Sequence, residues 1–272
     1  WPGNPERILR GALVLAGVVY LLFGLYLYLN QSRMIYDPGF AAARHDLDTE
    51  LFMIDGQRIR VHVMNPGNQT AVLYLGGNAE AVGYSAKRLS QALPEMTLYL
   101  VNYRGYGGST GEPGEQALYR DALHIHDAIS PRHGSIAAIG RSLGSGIATW
   151  LAAKREIDRL VLVTPFDSLA GIAEAAFPLY PAGLLLRERY ASAERAPLID
   201  AQTLIVVAGN DRIVPAASSR RLAEAFAPGG ARVATIAGAG HNSLSEREAY
   251  YRQLSDFLPA SVNRNKSGSE LE

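Results

Sequence analysis

Gly140-Arg141-Ser142-Leu143-Gly144 sets a serine hydroxyl between two glycines, directly after the apolar run 135–139 and directly before a helix-like stretch, 145–154. A G-x-S-x-G in a strand–turn–helix setting makes a sharp elbow that holds its serine out toward a base and a substrate. In a chain with 27 glycines the pattern alone is weak, so the partners decide. A serine hydroxyl is a poor nucleophile at neutral pH and needs a general base, itself oriented by an acid. Downstream of Ser142 only His241 remains as a histidine; His45, His62, His124, His126 and His133 all lie upstream. His241 falls in the loop Gly238-Ala239-Gly240-His241-Asn242, after the strand-like run 232–236. Asp211 is the acid candidate, because it follows the apolar run 204–208 and sits just past a strand's carboxyl end, where open α/β sheets carry their sites. Asp167, after the run 160–163, is the alternative, and helix capping is its other reading. An acyl-transfer site also needs two amides for the oxyanion. Leu143, the residue after the nucleophile, supplies one, and the turn Gly76-Gly77-Asn78-Ala79 after the apolar run 71–75 is placed to supply the other.

These residues need a scaffold, and the chain spells one out. Runs 47–54 and 57–64 alternate as a hairpin around Asp55-Gly56. From residue 71 onward short apolar runs, at 71–75, 97–102, 135–139, 160–163, 204–208 and 232–236, alternate with helical stretches near 84–93, 114–128, 145–154, 216–226 and 245–258. That alternation implies an α/β fold, a mainly parallel sheet with helices on both faces. The interval 168–199 is apolar and broken by Pro178 and Pro181. It has room for one or two short helices, a small cap forming an apolar wall over Ser142 or else packing against the sheet.

Leu75-Gly76-Gly77-Asn78-Ala79, the block Asn102-Tyr103-Arg104-Gly105-Tyr106-Gly107-Gly108-Ser109-Thr110-Gly111-Glu112-Pro113, the serine elbow, Asp211-Arg212-Ile213-Val214-Pro215 and Gly240-His241-Asn242 together resemble the Bem46-like branch of the α/β-hydrolase superfamily, with the ABHD13- and ABHD17-type proteins as relatives. The resemblance covers residues 30–258. It implies the α/β-hydrolase fold, Ser142 as nucleophile, Asp211 as acid, His241 as base and the Asn78 amide as the second oxyanion donor. The family's first motif is usually His-Gly-Asn; here Gly76 stands at the His position. Family members also often carry an N-terminal anchor, followed by a segment like Gln31-Ser32-Arg33-Met34-Ile35-Tyr36-Asp37-Pro38.

Gly11 to Leu29 runs 19 residues without a charge. At about 1.5 Å per residue this nearly spans a ~30 Å hydrocarbon core. A cleaved signal peptide has a shorter apolar region and a small-residue cleavage site, and 29–33 offers none. The expected organisation is a leader (1–10), a single transmembrane anchor (11–29), the hydrolase domain (30–262, cap about 168–199) and a polar tail (263–272), disordered or vector-derived. The lipid bilayer is the partner that such an anchor implies. Arg7 and Arg10 before the anchor against Arg33 after it tilt the N-terminus inward. The domain is then expected on the non-cytoplasmic side, in a bacterium the periplasm.

Formal net charge is zero and no basic motif stands out, which argues against nucleic acid. With no cysteine, disulfides and thiolate chemistry are excluded. His45 adjoins Asp46, and His124, His126 and Asp127 lie close together in the chain. None of these has a familiar metal-ligand spacing, and they are read as structural or surface residues. No metal or organic cofactor is expected. The expected activity is that of a membrane-anchored serine hydrolase acting on carboxylic ester or thioester bonds of lipid-like or acylated substrates. A serine peptidase of the same fold and a non-catalytic membrane scaffold are the alternatives.

Overall fold

The structure, a computed structural model, describes residues 4–43 and 45–258. The tail expected at 263–272 lies outside the described residues. The chain opens with α1 (Pro5–Ile35), one unbroken helix that extends past the expected anchor at both ends. Asn4 caps it by accepting the Glu6 amide, with Pro5 at its first position. At 31 residues it is about 46 Å long, and it is long and apolar enough to cross a membrane.

Among the described residues, eight strands form one sheet in the order β1-β2-β4-β3-β5-β6-β7-β8. They are β1 (Thr49–Ile54), β2 (Gln57–Met64), β3 (Thr70–Leu75), β4 (Met96–Val101), β5 (Ser135–Arg141), β6 (Arg159–Val163), β7 (Gln202–Ala208) and β8 (Ala231–Ile236). β1 and β2 form the expected hairpin, closed by Asp55 (φ 50°) and Gly56 (φ 73°), and β2 runs antiparallel to β4. Every later pairing is parallel.

Between the strands lie α2 (Gly83–Ala92), α3 (Glu115–Ile129) and α4 (Leu143–Ala152). The interval expected as a cap carries three short helices: α5 (Leu169–Ala176), α6 (Ala182–Leu185) and α7 (Ser192–Arg195). α8 (Ala216–Ala225) and α9 (Glu248–Phe257) complete the cover. Alternation along each strand sends side chains to opposite faces. On β3, Ala71, Leu73 and Leu75 join the core under α3, α4 and α8, while Val72 and Tyr74 join the core under α2 and α9.

Candidate active site

Ser142 sits at the β5–α4 junction with φ 49° and ψ −116°. A non-glycine residue there is strained, at a cost of order 1–3 kcal/mol, and the surroundings must hold it. Its amide donates to the Val163 carbonyl on β6 at 2.9 Å. The flanking glycines are required by packing: a Cβ at Gly140 would meet the Gly144 carbonyl oxygen at 2.5 Å, and one at Gly144 would meet the Leu75 carbonyl oxygen at 2.0 Å.

The loops after β7 and β8 bring the other two residues in. His241 Nε2 lies 2.9 Å from Ser142 Oγ, and His241 Nδ1 lies 2.7 Å from Asp211 Oδ2. Asp211 Oδ1 accepts the amides of Ile213 and Val214, both at 2.9 Å. Burial raises the Asp211 carboxyl, but the His241 hydrogen bond and the two amides outweigh it and hold the group below the usual carboxylate range. Asp167 is elsewhere: it accepts Ser218 Oγ at 2.5 Å and Arg221 Nε at 2.6 Å, both on α8. Nor does it cap α5; Ser168 does, accepting the Gly171 amide at 3.0 Å.

Asn78 and Leu143 line the same cavity as Ser142. Leu143 opens α4, where first-turn amides have no intrahelical acceptor. The Asn102–Ser109 block explains how the Gly76–Asn78 turn is held. Tyr103 Oη donates to the Gly76 carbonyl at 2.8 Å and Tyr106 Oη to the Asn78 carbonyl at 2.6 Å. Arg104 pairs with buried Asp121 on α3 at 2.7 Å, pinning the block to the scaffold.

Two residues escaped the sequence reading. Arg141, inside the elbow motif, pairs with Glu80 at 3.0 Å and donates to the His241 carbonyl at 3.3 Å. Glu80 also accepts the Gly77 amide at 2.9 Å and the hydroxyls of Tyr74 and Ser85, each at 2.7 Å. Burial raises the Glu80 carboxyl, yet Arg141 and these donors hold it below its ordinary value. The pair therefore ties three loops together: elbow, glycine turn and histidine loop. A side chain at Gly76 would press on Val82 and Glu80, at 2.7 and 3.1 Å. An arginine beside Ser142 and a glutamate just after the glycine turn were the available signals.

A cavity of about 300 Å³ opens above Ser142. Leu169, Ile172 and Phe177 of the cap line it together with Phe166 and Val214, while Tyr190, Ala196 and Ile199 of the same interval are buried in the core, so both arrangements expected of that interval occur. α1 itself also lines the cavity, through Leu27, Tyr28, Gln31, Met34 and Ile35. No charged side chain lines it among the described residues.

A family model described as alpha/beta hydrolase fold matches residues 70–186. An uncharacterised protein of Mycobacterium tuberculosis, Rv2307c, is 35% identical over 249 residues, covering 85% of each chain. Protein bem46 of Schizosaccharomyces pombe is 25% identical over 263 residues, covering 86% of this chain and 87% of its own. The chain belongs to the Bem46-like α/β-hydrolase family. Lysophosphatidylserine lipase ABHD12 of Mus musculus, also similar to this Bem46-like chain, is 31% identical over 188 residues, 59% of this chain and 46% of its own. Among solved structures, the α/β hydrolase MGS-M2 from a deep-sea metagenome library aligns with a TM-score of 0.64 at 16% identity, over 80% of this chain and all of its own. That likeness concerns the fold.

Proposed function

We propose that this Bem46-like protein is a membrane-anchored serine hydrolase that cleaves ester or thioester bonds of acylated, lipid-like substrates. The hydrogen-bonded series Ser142, His241, Asp211, with Ser142 opening into an uncharged apolar cavity, carries the reading. His241 takes the Ser142 proton as Oγ attacks the acyl carbon, and Asp211 stabilises the imidazolium. The amides of Leu143 and Asn78 receive the oxyanion. His241 passes the proton to the departing alcohol or thiol as its bond to the acyl carbon breaks. Water, deprotonated by His241, then cleaves the acyl-serine and restores the hydroxyl. The lipase name of the ABHD12 relative supports an acyl substrate, and an uncharged cavity favours one over a peptide. Helix α1 serves as a single-pass anchor; the arginine excess before it favours a catalytic domain on the non-cytoplasmic side.

The test is turnover of p-nitrophenyl esters from acetate to palmitate by detergent-solubilised protein. Wild type turns them over, and Ser142→Ala loses at least about a thousand-fold together with fluorophosphonate labelling. Absence of both turnover and labelling in wild type would sink the reading.

A further inference from the structure

α1 is more than a tether. Tyr20, Gly24, Tyr28, Gln31 and Ile35 recur at helical spacing, and contacts to the domain follow that stripe. The Tyr20 and Tyr180 rings stack at 4.5 Å. Tyr20 Oη donates to the Leu179 carbonyl at 2.7 Å, and Tyr180 Oη to the Tyr20 carbonyl at 2.9 Å. Gly24 makes room, since a Cβ there would meet Tyr180 Cε1 at 2.8 Å. Gln31 Oε1 accepts the Arg187 amide at 2.7 Å. At its end, the Ile35 carbonyl accepts Asn78 Nδ2 at 3.1 Å, and the Asp37 amide donates to the Asn78 carbonyl at 3.3 Å.

Tyr20 lies about 14 Å inside the Leu29 end of the apolar run. The cap tip docked on it therefore reaches well below the bilayer surface whenever α1 spans. Its composition suits that depth: Leu179 and Leu184 are 78% and 87% exposed, and Glu174 is the only charged residue from Leu169 to Leu186. Backbone polar groups in lipid must be satisfied within the protein, as the Leu179 carbonyl is by Tyr20 Oη; Glu174 accepts the Gly183 amide at 3.2 Å. A groove of about 370 Å³ beside Tyr20 and Gly24 shares Tyr28, Tyr180 and Leu185 with the cavity over Ser142.

We propose that the anchor helix and cap tip form a mouth inside the bilayer, through which the acyl chain of a membrane-resident ester passes laterally to Ser142. This rests on the hydrolase reading. The occupant is a lipid acyl chain because one wall of the path is itself the bilayer-spanning helix.

The test uses the full chain in phosphatidylcholine vesicles, with p-nitrophenyl palmitate dissolved in the bilayer and p-nitrophenyl acetate in the water. Leu25→Trp, in the groove and outside the cavity over Ser142, narrows the mouth and lowers the palmitate-to-acetate turnover ratio about ten-fold. Leu15→Trp, on a part of α1 away from the cap, keeps the wild-type ratio. A wild-type ratio in Leu25→Trp, or an equal fall in Leu15→Trp, overturns the proposal. If Leu25→Trp fails to fold, Ser142→Ala in vesicles of a diazirine-acyl phospholipid decides. Crosslinks at Ile172 or Phe166 support the path, and crosslinks confined to α1 residues outside the cavity overturn it. Loss of the hydrolase reading would show separately, as wild type without acetate turnover or fluorophosphonate labelling.

Discussion

Asp211 has the contacts that the proposed orienting acid needs. One oxygen meets the His241 ring and the other is occupied by two backbone amides, so the carboxylate cannot rotate away without losing all three. Asp211→Asn keeps the size but no longer favours the tautomer that leaves Nε2 free to accept the serine proton. A fall in kcat of about 10³–10⁴-fold is expected, with KM changing much less. Steady-state kinetics on a short ester checks it, and a loss under about ten-fold would assign the orienting role elsewhere. The Asp167 site shows why strand-end position alone could not choose: both aspartates end parallel strands, and only the loop path after each decides which meets His241.

The elbow and the glycine turn are single functional parts made from separate elements. β3 and β5 are hydrogen-bonded neighbours, so their carboxyl ends present Gly76 and Ser142 side by side. The Asn102–Ser109 block then sets the turn's orientation through two tyrosine hydroxyls. Tyr106→Phe removes the bond to the Asn78 carbonyl while keeping the ring. It is expected to lower kcat about ten-fold with KM within about two-fold, since the Asn78 amide would act on charge that develops in the transition state. An unchanged kcat would release Asn78 from that role. The block was legible as a motif; its task was not, because the partners sit on a different strand end, well upstream in the chain.

At the scale of the whole molecule, stability is expected to respond to His62 on β2. His62 on β2 is buried, with its Nδ1 2.9 Å from Thr49 Oγ1 and with Arg60 and His45 as neighbours. Burial first, then Arg60 and His45, lower its pKa from 6.5 to about 4. The folded protein thus holds His62 neutral where the unfolded chain would protonate it. The associated stability is complete above about pH 6.5 and is lost as pH falls from there toward 4. Denaturant unfolding between these limits should show a shallower pH slope in His62→Gln than in wild type. Equal slopes would remove His62 as a source of the acid sensitivity.

The local signals were strong where chemistry or periodicity is written in neighbouring residues. The elbow, the hairpin turn, the alternating α/β pattern and the apolar N-terminal run are all legible by eye, because each depends on spacing along one segment. Tertiary structure decided what depends on closing distant segments together. It separated Asp211 from Asp167, joined Arg141 and Glu80 beneath the site, and laid α1 against the cap. The last was hidden because the stripe Tyr20, Gly24, Tyr28, Gln31 reads as ordinary membrane helix until a partner surface, more than 150 residues away in sequence, shows which face it covers.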